Sequence, residues 1–241
     1  MKHVSNILAI SALLIFRSIY AQDTNFLPEQ KHLFDVIRER SVPIQIYRPA
    51  TEENHPPPLV IINHGYSVGS EEYTFIAEPL AKQGYFVVSI QHDLPDDPEL
   101  PRTGNLYERR KPLWERGVQN ILFVISELER AKIRVNLKKI ILIGHSNGGD
   151  ISMLFASNYP EMVEKVVSLD SLRMPFPIKY PIPMLTLRAN DTKADEGVLP
   201  ESGAIIINLE NTKHIDMYDR GPDQVKKEII AQINNFLLGS L

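Results

Sequence analysis

From Ser41 to Tyr47 apolar and polar residues alternate (S-V-P-I-Q-I-Y), the period of a strand with one face inward. Beyond it the pattern changes. Leu59–Asn63 (L-V-I-I-N), Tyr85–Ile90 (Y-F-V-V-S-I), Lys139–Ile143 (K-I-I-L-I), Val163–Leu169, Met184–Leu187 and Ala204–Leu209 are short, nearly continuous apolar runs. Such runs are expected of strands covered on both faces, where neither side-chain direction meets water. Stretches with helical spacing lie between them. Glu71–Gln83 carries Phe75, Ile76, Leu80 and Ala81 on one stripe, with Gly84 as a stop. Leu113–Leu128 gathers Leu113, Val118, Ile121, Leu122, Ile125 and Leu128 on one face. Gly148–Asn158 reads as a third helix, ended by Pro160, and Gln224–Leu238 as a fourth. Glu52–Pro58 and Asp93–Thr103 are polar and contain prolines, so they read as loops.

Strands alternating with helices predict an α/β protein, a mostly parallel sheet flanked by helices on both faces. No compositional break, repeat or low-complexity tract divides the chain, so residues 22–241 read as a single domain. The formal net charge of −4 and the short, acid-flanked basic clusters (Arg109-Arg110-Lys111 and Lys226-Lys227) argue against a nucleic-acid partner. The absence of cysteine excludes disulfides, thiolate metal sites and a cysteine nucleophile.

Residues 1–21 have a separate logic. Lys2 and His3 precede the apolar stretch Ile7–Phe16, and Arg17-Ser18-Ile19-Tyr20-Ala21 ends in a small residue. This is the layout of a secretory signal peptide cut near Ala21, although Arg17 and Ile19 are not ideal for one. The apolar run is too short to span a bilayer. The expectation is an exported protein, periplasmic or extracellular, with no stable membrane insertion after cleavage.

The chemistry begins where the strand Lys139–Ile143 runs into Gly144-His145-Ser146-Asn147-Gly148-Gly149 and then a helix. G-x-S-x-G between a buried strand and a helix is a nucleophile elbow. The sharp turn strains the serine backbone, so its neighbours must be very small, and Oγ stands clear over a helix N-terminus. Ser146 is therefore the expected nucleophile. Its base is expected to be His214, the only histidine between the last strand and the last helix. A carboxylate must hold that base in the right tautomer. Asp191, after Met184–Leu187, is the first choice. Asp170, after Val163–Leu169, is the alternative, and Asp195 is a more distant third. The backbone N–H groups of Asn147 and Tyr66 are the expected oxyanion donors, the latter from the loop His64-Gly65-Tyr66-Ser67. His64 and His92 end strands at the same edge and could line the pocket. The sequence has no HExxH and no dense ligand spacing, so neither a metal nor a cofactor is expected.

Taken together, Asn63-His64-Gly65-Tyr66, Gly84-Tyr85-Phe86-Val87-Val88, the elbow and His214 resemble the α/β-hydrolase superfamily from about residue 33 to the C-terminus. The nearest flavour is the group of dienelactone-hydrolase-like enzymes, cutinase-like polyester hydrolases and platelet-activating-factor acetylhydrolases. The resemblance implies hydrolysis of carboxylic esters through an acyl-enzyme without a cofactor. Its sub-groups differ over the acid: the cutinase-like pattern matches Asp191 and the acetylhydrolase pattern matches Asp170. Many lipases of this fold carry a helical lid where this chain has only Ser171–Pro183, so the expected site is open, without a large lid domain, to small-molecule or polymeric esters. Asp93–Arg110 is the expected substitute for a lid. Alternatives on the same machinery are a serine peptidase, a thioesterase or a lipid acylhydrolase, and more remotely a hydrolase fold kept only for binding.

Overall fold

The computed structural model describes residues 27–51 and 53–241, so the leader expected at residues 1–21 lies outside the described residues. The strands are β1 (Glu29–Asp35), β2 (Arg40–Tyr47), β3 (Pro58–Asn63), β4 (Phe86–Ile90), β5 (Asn136–His145), β6 (Val163–Leu169), β7 (Met184–Arg188) and β8 (Ile205–Asn208). The helices are α1 (Thr74–Lys82), α2 (Leu106–Arg130), α3 (Asn147–Asn158) and α4 (Asp223–Leu237). The strands form one eight-stranded sheet in the order β1-β2-β4-β3-β5-β6-β7-β8. Only the β1–β2 and β2–β4 pairings are antiparallel, and the others are parallel.

The apolar runs sort by alternation onto the two faces of the sheet. Leu59, Ile61, Ile140 and Leu142 face the core beneath α2 and α3, with Trp114, Ile121, Ile151 and Phe155. Val60, Ile62, Ile141 and Ile143 face the opposite core beneath α1 and α4, with Ile76, Leu80, Ile229 and Ile233. A strand with both faces filled needs no polar positions, and each such side chain removed from water contributes about 1.5–3 kcal/mol.

Three features differ from the expectation. β1 has no apolar run, since Glu29–Asp35 reads E-Q-K-H-L-F-D; it forms by pairing along the whole of β2 as an outer hairpin strand. α2 begins at Leu106 rather than Leu113, its first turn capped by the Asn105 side chain, which accepts from the Glu108 N–H. Residues 106–110 of the expected lid substitute are therefore helix. Its remaining loop is tied down by Arg40 on Asp97 and by Arg116 on Asp93. α1 begins at Thr74 rather than Glu71. Its N-terminal N–H groups at Thr74 and Phe75 donate to Asp219, a capping residue distant in sequence. Among the described residues no helix is long and apolar enough to cross a membrane.

Candidate active site

The parallel strands β3, β5, β6 and β7 bring their C-terminal ends to one edge of the sheet. β5 and β6 are in register there, with His145 opposite Leu169. The next residue of each strand is thus Ser146 and Asp170, side by side, and the Ser146 N–H donates to the Leu169 carbonyl at 2.8 Å. Both turn with left-handed backbones, φ 52° at Ser146 and 55° at Asp170. Non-glycine residues adopt this region only where the surroundings impose it. At the elbow the imposition is steric. A Cβ on Gly148 would lie 2.0 Å from the Asn63 carbonyl oxygen, and one on Gly144 2.3 Å from that of Gly148.

His214 opens a short helical turn, His214–Asp216, after β8. Its Nε2 lies 2.8 Å from Ser146 Oγ and its Nδ1 2.6 Å from Asp170 Oδ2. A carboxylate only accepts, so Nδ1–H donates to Asp170 and Nε2 is left to accept from the Ser146 hydroxyl. The geometry therefore joins Ser146, His214 and Asp170 in one line. Asp191 is not in that line: its Oδ1 accepts the backbone N–H of His214 at 2.7 Å, holding the loop rather than the ring. The reason lies in the strand order. Asp170 leaves β6, the neighbour of β5, whereas Asp191 comes from a turn beyond β7, one strand further away. Asp195 pairs with Arg173.

Asp170 is fully buried. Its Oδ1 meets Arg188 Nη2 at 2.7 Å and accepts the Ala189 N–H at 3.2 Å, while Thr192 Oγ1 donates to Oδ2. Burial alone would raise its pKa. The His214 hydrogen bond, the Arg188 charge and the Thr192 hydroxyl outweigh it and hold the carboxyl below its ordinary value. Arg188 also donates from Nη1 to the Ser171 carbonyl, clamping the strained Asp170–Ser171 link. Sequence reasoning missed Arg188 and Thr192. The available signal was a charged residue ending the buried run of β7 at the edge where Ser146 sits.

The other expected groups surround this line. Asn147 opens α3, where helix N–H groups have no intrahelical acceptor, and its side chain accepts from Trp114 Nε1 at 2.8 Å. In the loop after β3 the Gly65 carbonyl accepts from His64 Nδ1 at 2.7 Å and from the Val68 N–H at 3.1 Å. The peptide is planar and trans, so fixing that carbonyl fixes the Tyr66 N–H in the opposite direction. His64 Nε2 accepts the His92 N–H at 2.7 Å, and His92 Nε2 bonds Asn63 Oδ1 at 2.9 Å. Both rings are buried in this network. Among the described residues no group of three or more His, Asp or Glu is arranged to hold a metal ion.

Burial keeps three histidines neutral. The pKa of His145 is pushed down to about 3, first by burial and then by the neighbouring His214, while His64 and His92 are lowered chiefly by burial. Each contributes stability that is present above 6.5, their ordinary value, and lost as pH falls and the unfolded chain takes up protons. Asp150, raised to about 6 by burial, works in the opposite sense between about 4 and 6. Three histidines outweigh one carboxyl, so denaturant titrations are expected to show stability falling from pH 7.5 to pH 5. His145 alone accounts for about 2 kcal/mol of that loss. Constant stability across this range would contradict the buried neutral rings.

Residues 58–193 match the family model described as alpha/beta hydrolase fold. The chain belongs to the α/β-hydrolase fold family. A Haemophilus influenzae protein whose name reads esterase/lipase is 29% identical over 119 residues, covering 49% of this chain and 36% of that protein. The matched part therefore spans about a third of the length of that relative. Among solved structures, a ferulic acid esterase from Streptomyces cinnamoneus superposes with a TM-score of 0.68 at 16% identity, covering 90% of this chain and 91% of the other. A dienelactone hydrolase from Anabaena variabilis gives 0.61 at 16% identity, covering 88% and 98%. At such identities the two structures establish the shared α/β-hydrolase fold.

Proposed function

We propose that this protein is a serine esterase that cleaves carboxylic esters through an acyl-enzyme on Ser146. The observation that carries the reading is the hydrogen-bonded line from Ser146 Oγ through His214 to Asp170, at 2.8 and 2.6 Å. Ser146 Oγ attacks the ester carbonyl as His214 Nε2 takes its proton. Asp170 holds the ring and stabilises the imidazolium. The developing oxyanion is met by the N–H groups of Asn147 and Tyr66. Collapse expels the alcohol, which receives the proton from His214. Water then attacks the acyl-enzyme by the same base and releases the acid. No cofactor takes part.

The name of the Haemophilus influenzae relative, esterase/lipase, supports an ester as the substrate. Residues 170–183 form no helix, so no lid of that kind covers the serine. An open cavity of about 640 Å³ adjoins the loop of the proposed oxyanion donor; Tyr66, Val68 and Leu94 line it together with Glu71, Asp93 and Asp97.

A fluorophosphonate probe is expected to label the folded protein at Ser146, located by mass spectrometry of the peptides. p-Nitrophenyl esters from acetate to palmitate are expected to turn over with a clear optimum of chain length. A labelled serine with no turnover of any ester would replace the ester reading by one of thioester or amide hydrolysis. No labelling would remove the catalytic reading itself.

A further inference from the structure

The oxyanion loop and the base come from segments far apart in the chain, His64–Ser67 and His214–Asp216. A line of buried hydrogen bonds joins them beneath the nucleophile. The Gly65 N–H donates to Tyr73 Oη at 2.9 Å. Tyr73 Oη lies 2.9 Å from His145 Nδ1. His145 Nε2 lies 3.0 Å from the carbonyl oxygen of His214. The directions of the bonds follow from chemistry. A carbonyl only accepts, so His145 Nε2 carries the ring proton and Nδ1 accepts. The Tyr73 hydroxyl must then donate to Nδ1, and its oxygen is free to accept from Gly65. One assignment satisfies every atom, and reversing either histidine link would set two acceptors face to face.

Both side chains are almost wholly buried, Tyr73 at 1% and His145 at 3% exposure. The His145 and His214 rings are 4.9 Å apart, and a Cβ on Gly65 would come within 2.9 Å of His145 Nδ1. Loop, relay and base thus leave no slack. Apolar side chains could fill the same space without burying polar groups that each demand a partner.

We propose that Tyr73 and His145 are positioning residues that fix the oxyanion loop and the catalytic base in one mutual geometry. The proposal rests on the Ser146–His214–Asp170 reading. Neither side chain touches the reacting atoms. Tyr73 holds the start of the loop that presents the Tyr66 N–H, and His145 holds the backbone from which the His214 ring projects. Loss of either link loosens both partners of the transition state and leaves ground-state binding largely alone.

The test uses the full chain with the variants Tyr73→Phe, His145→Leu, His145→Gln and the double variant Tyr73→Phe/His145→Leu, assayed on p-nitrophenyl acetate beside Ser146→Ala. Thermal melts establish folding. Tyr73→Phe and His145→Leu are expected to lower kcat about 10- to 100-fold, with KM changed by less than about threefold, as misplacement of reacting groups does. The double variant is expected to be no worse than the worse single one, because either change breaks the same line. His145→Gln brings an amide N–H near the place of Nε2 and is expected to regain part of the lost kcat. Unchanged kcat in a folded Tyr73→Phe, or additive losses in the double variant, would overturn the relay. Should His145→Leu fail to fold, Tyr73→Phe, which removes a single oxygen, decides alone. Turnover surviving in Ser146→Ala would overturn the triad and the relay with it. An inactive Ser146→Ala beside fully active relay variants would overturn the relay only.

Discussion

Ser146→Ala is expected to lower kcat for p-nitrophenyl esters by about 10⁵- to 10⁶-fold, the scale at which removing the nucleophile of such a triad acts. The substitution takes away the attacking atom and the hydrogen bond to His214 Nε2, and nothing else in the elbow. The backbone at φ 52° is set by contacts that survive the change: the Ser146 N–H on Leu169 and the glycine approaches at positions 144 and 148. Alanine tolerates this conformation no worse than serine, so the melting temperature should move by little, the lost hydrogen bond being worth about 1 kcal/mol. A folded, inactive variant that no longer reacts with the fluorophosphonate is the predicted combination. A folded variant retaining more than a tenth of wild-type turnover would move catalysis away from the elbow.

The sheet was legible wherever burial imposed a local pattern. Leu59–Ile62 and Ile140–Ile143 have to be apolar throughout because successive residues feed two separate cores. β1 carries no such constraint, and its stability comes from pairing with β2, which single residues do not announce. α1 likewise begins where Asp219 caps it, 145 residues further along the chain. The elbow was legible because sterics require small residues at fixed offsets from Ser146. His214 was legible from chain order. The carboxylate was not, because Asp170 and Asp191 both follow buried strands. What separates them is the β5–β6 register, which sets Asp170 beside Ser146, and Arg188, which meets a charge buried there. Both are properties of packing between segments; the one local trace is Arg188 itself, a charge ending the buried run of β7, and it does not say which aspartate it meets. Tyr73 belongs to the same class: an aromatic at the start of a helix, its partners known only once β3, β5 and the His214 turn converge.

Asp170→Asn, compared with Asp191→Asn, is expected to separate the two carboxylates by about three orders of magnitude. Asparagine at position 170 can present its NH₂ to His214 Nδ1, which stabilises the wrong tautomer and leaves Nε2 protonated against Ser146. The negative charge that stabilises the imidazolium is lost as well, and kcat should fall by about 10⁴-fold. Among the described residues the Asp191 carboxylate accepts the backbone N–H of His214, which an asparagine oxygen can also accept, so Asp191→Asn should keep kcat within about tenfold of wild type. Stability should separate them too. Asp170→Asn leaves the Arg188 guanidinium buried without its counter-charge, a change that costs about 3–5 kcal/mol. The wild-type pair carries a matching pH signature. The Asp170 carboxyl is held below its ordinary value of 3.8, so its contribution to stability is present above that pH and lost as pH falls through its lowered value. The acid limb of the Asp170→Asn stability profile should lack that contribution, and that of Asp191→Asn should retain it. If instead Asp191→Asn abolished turnover while Asp170→Asn left it intact, the acid would have to reach His214 by a rearranged loop. The bonds from Arg188, Ala189 and Thr192 that fix Asp170 would then serve the fold alone.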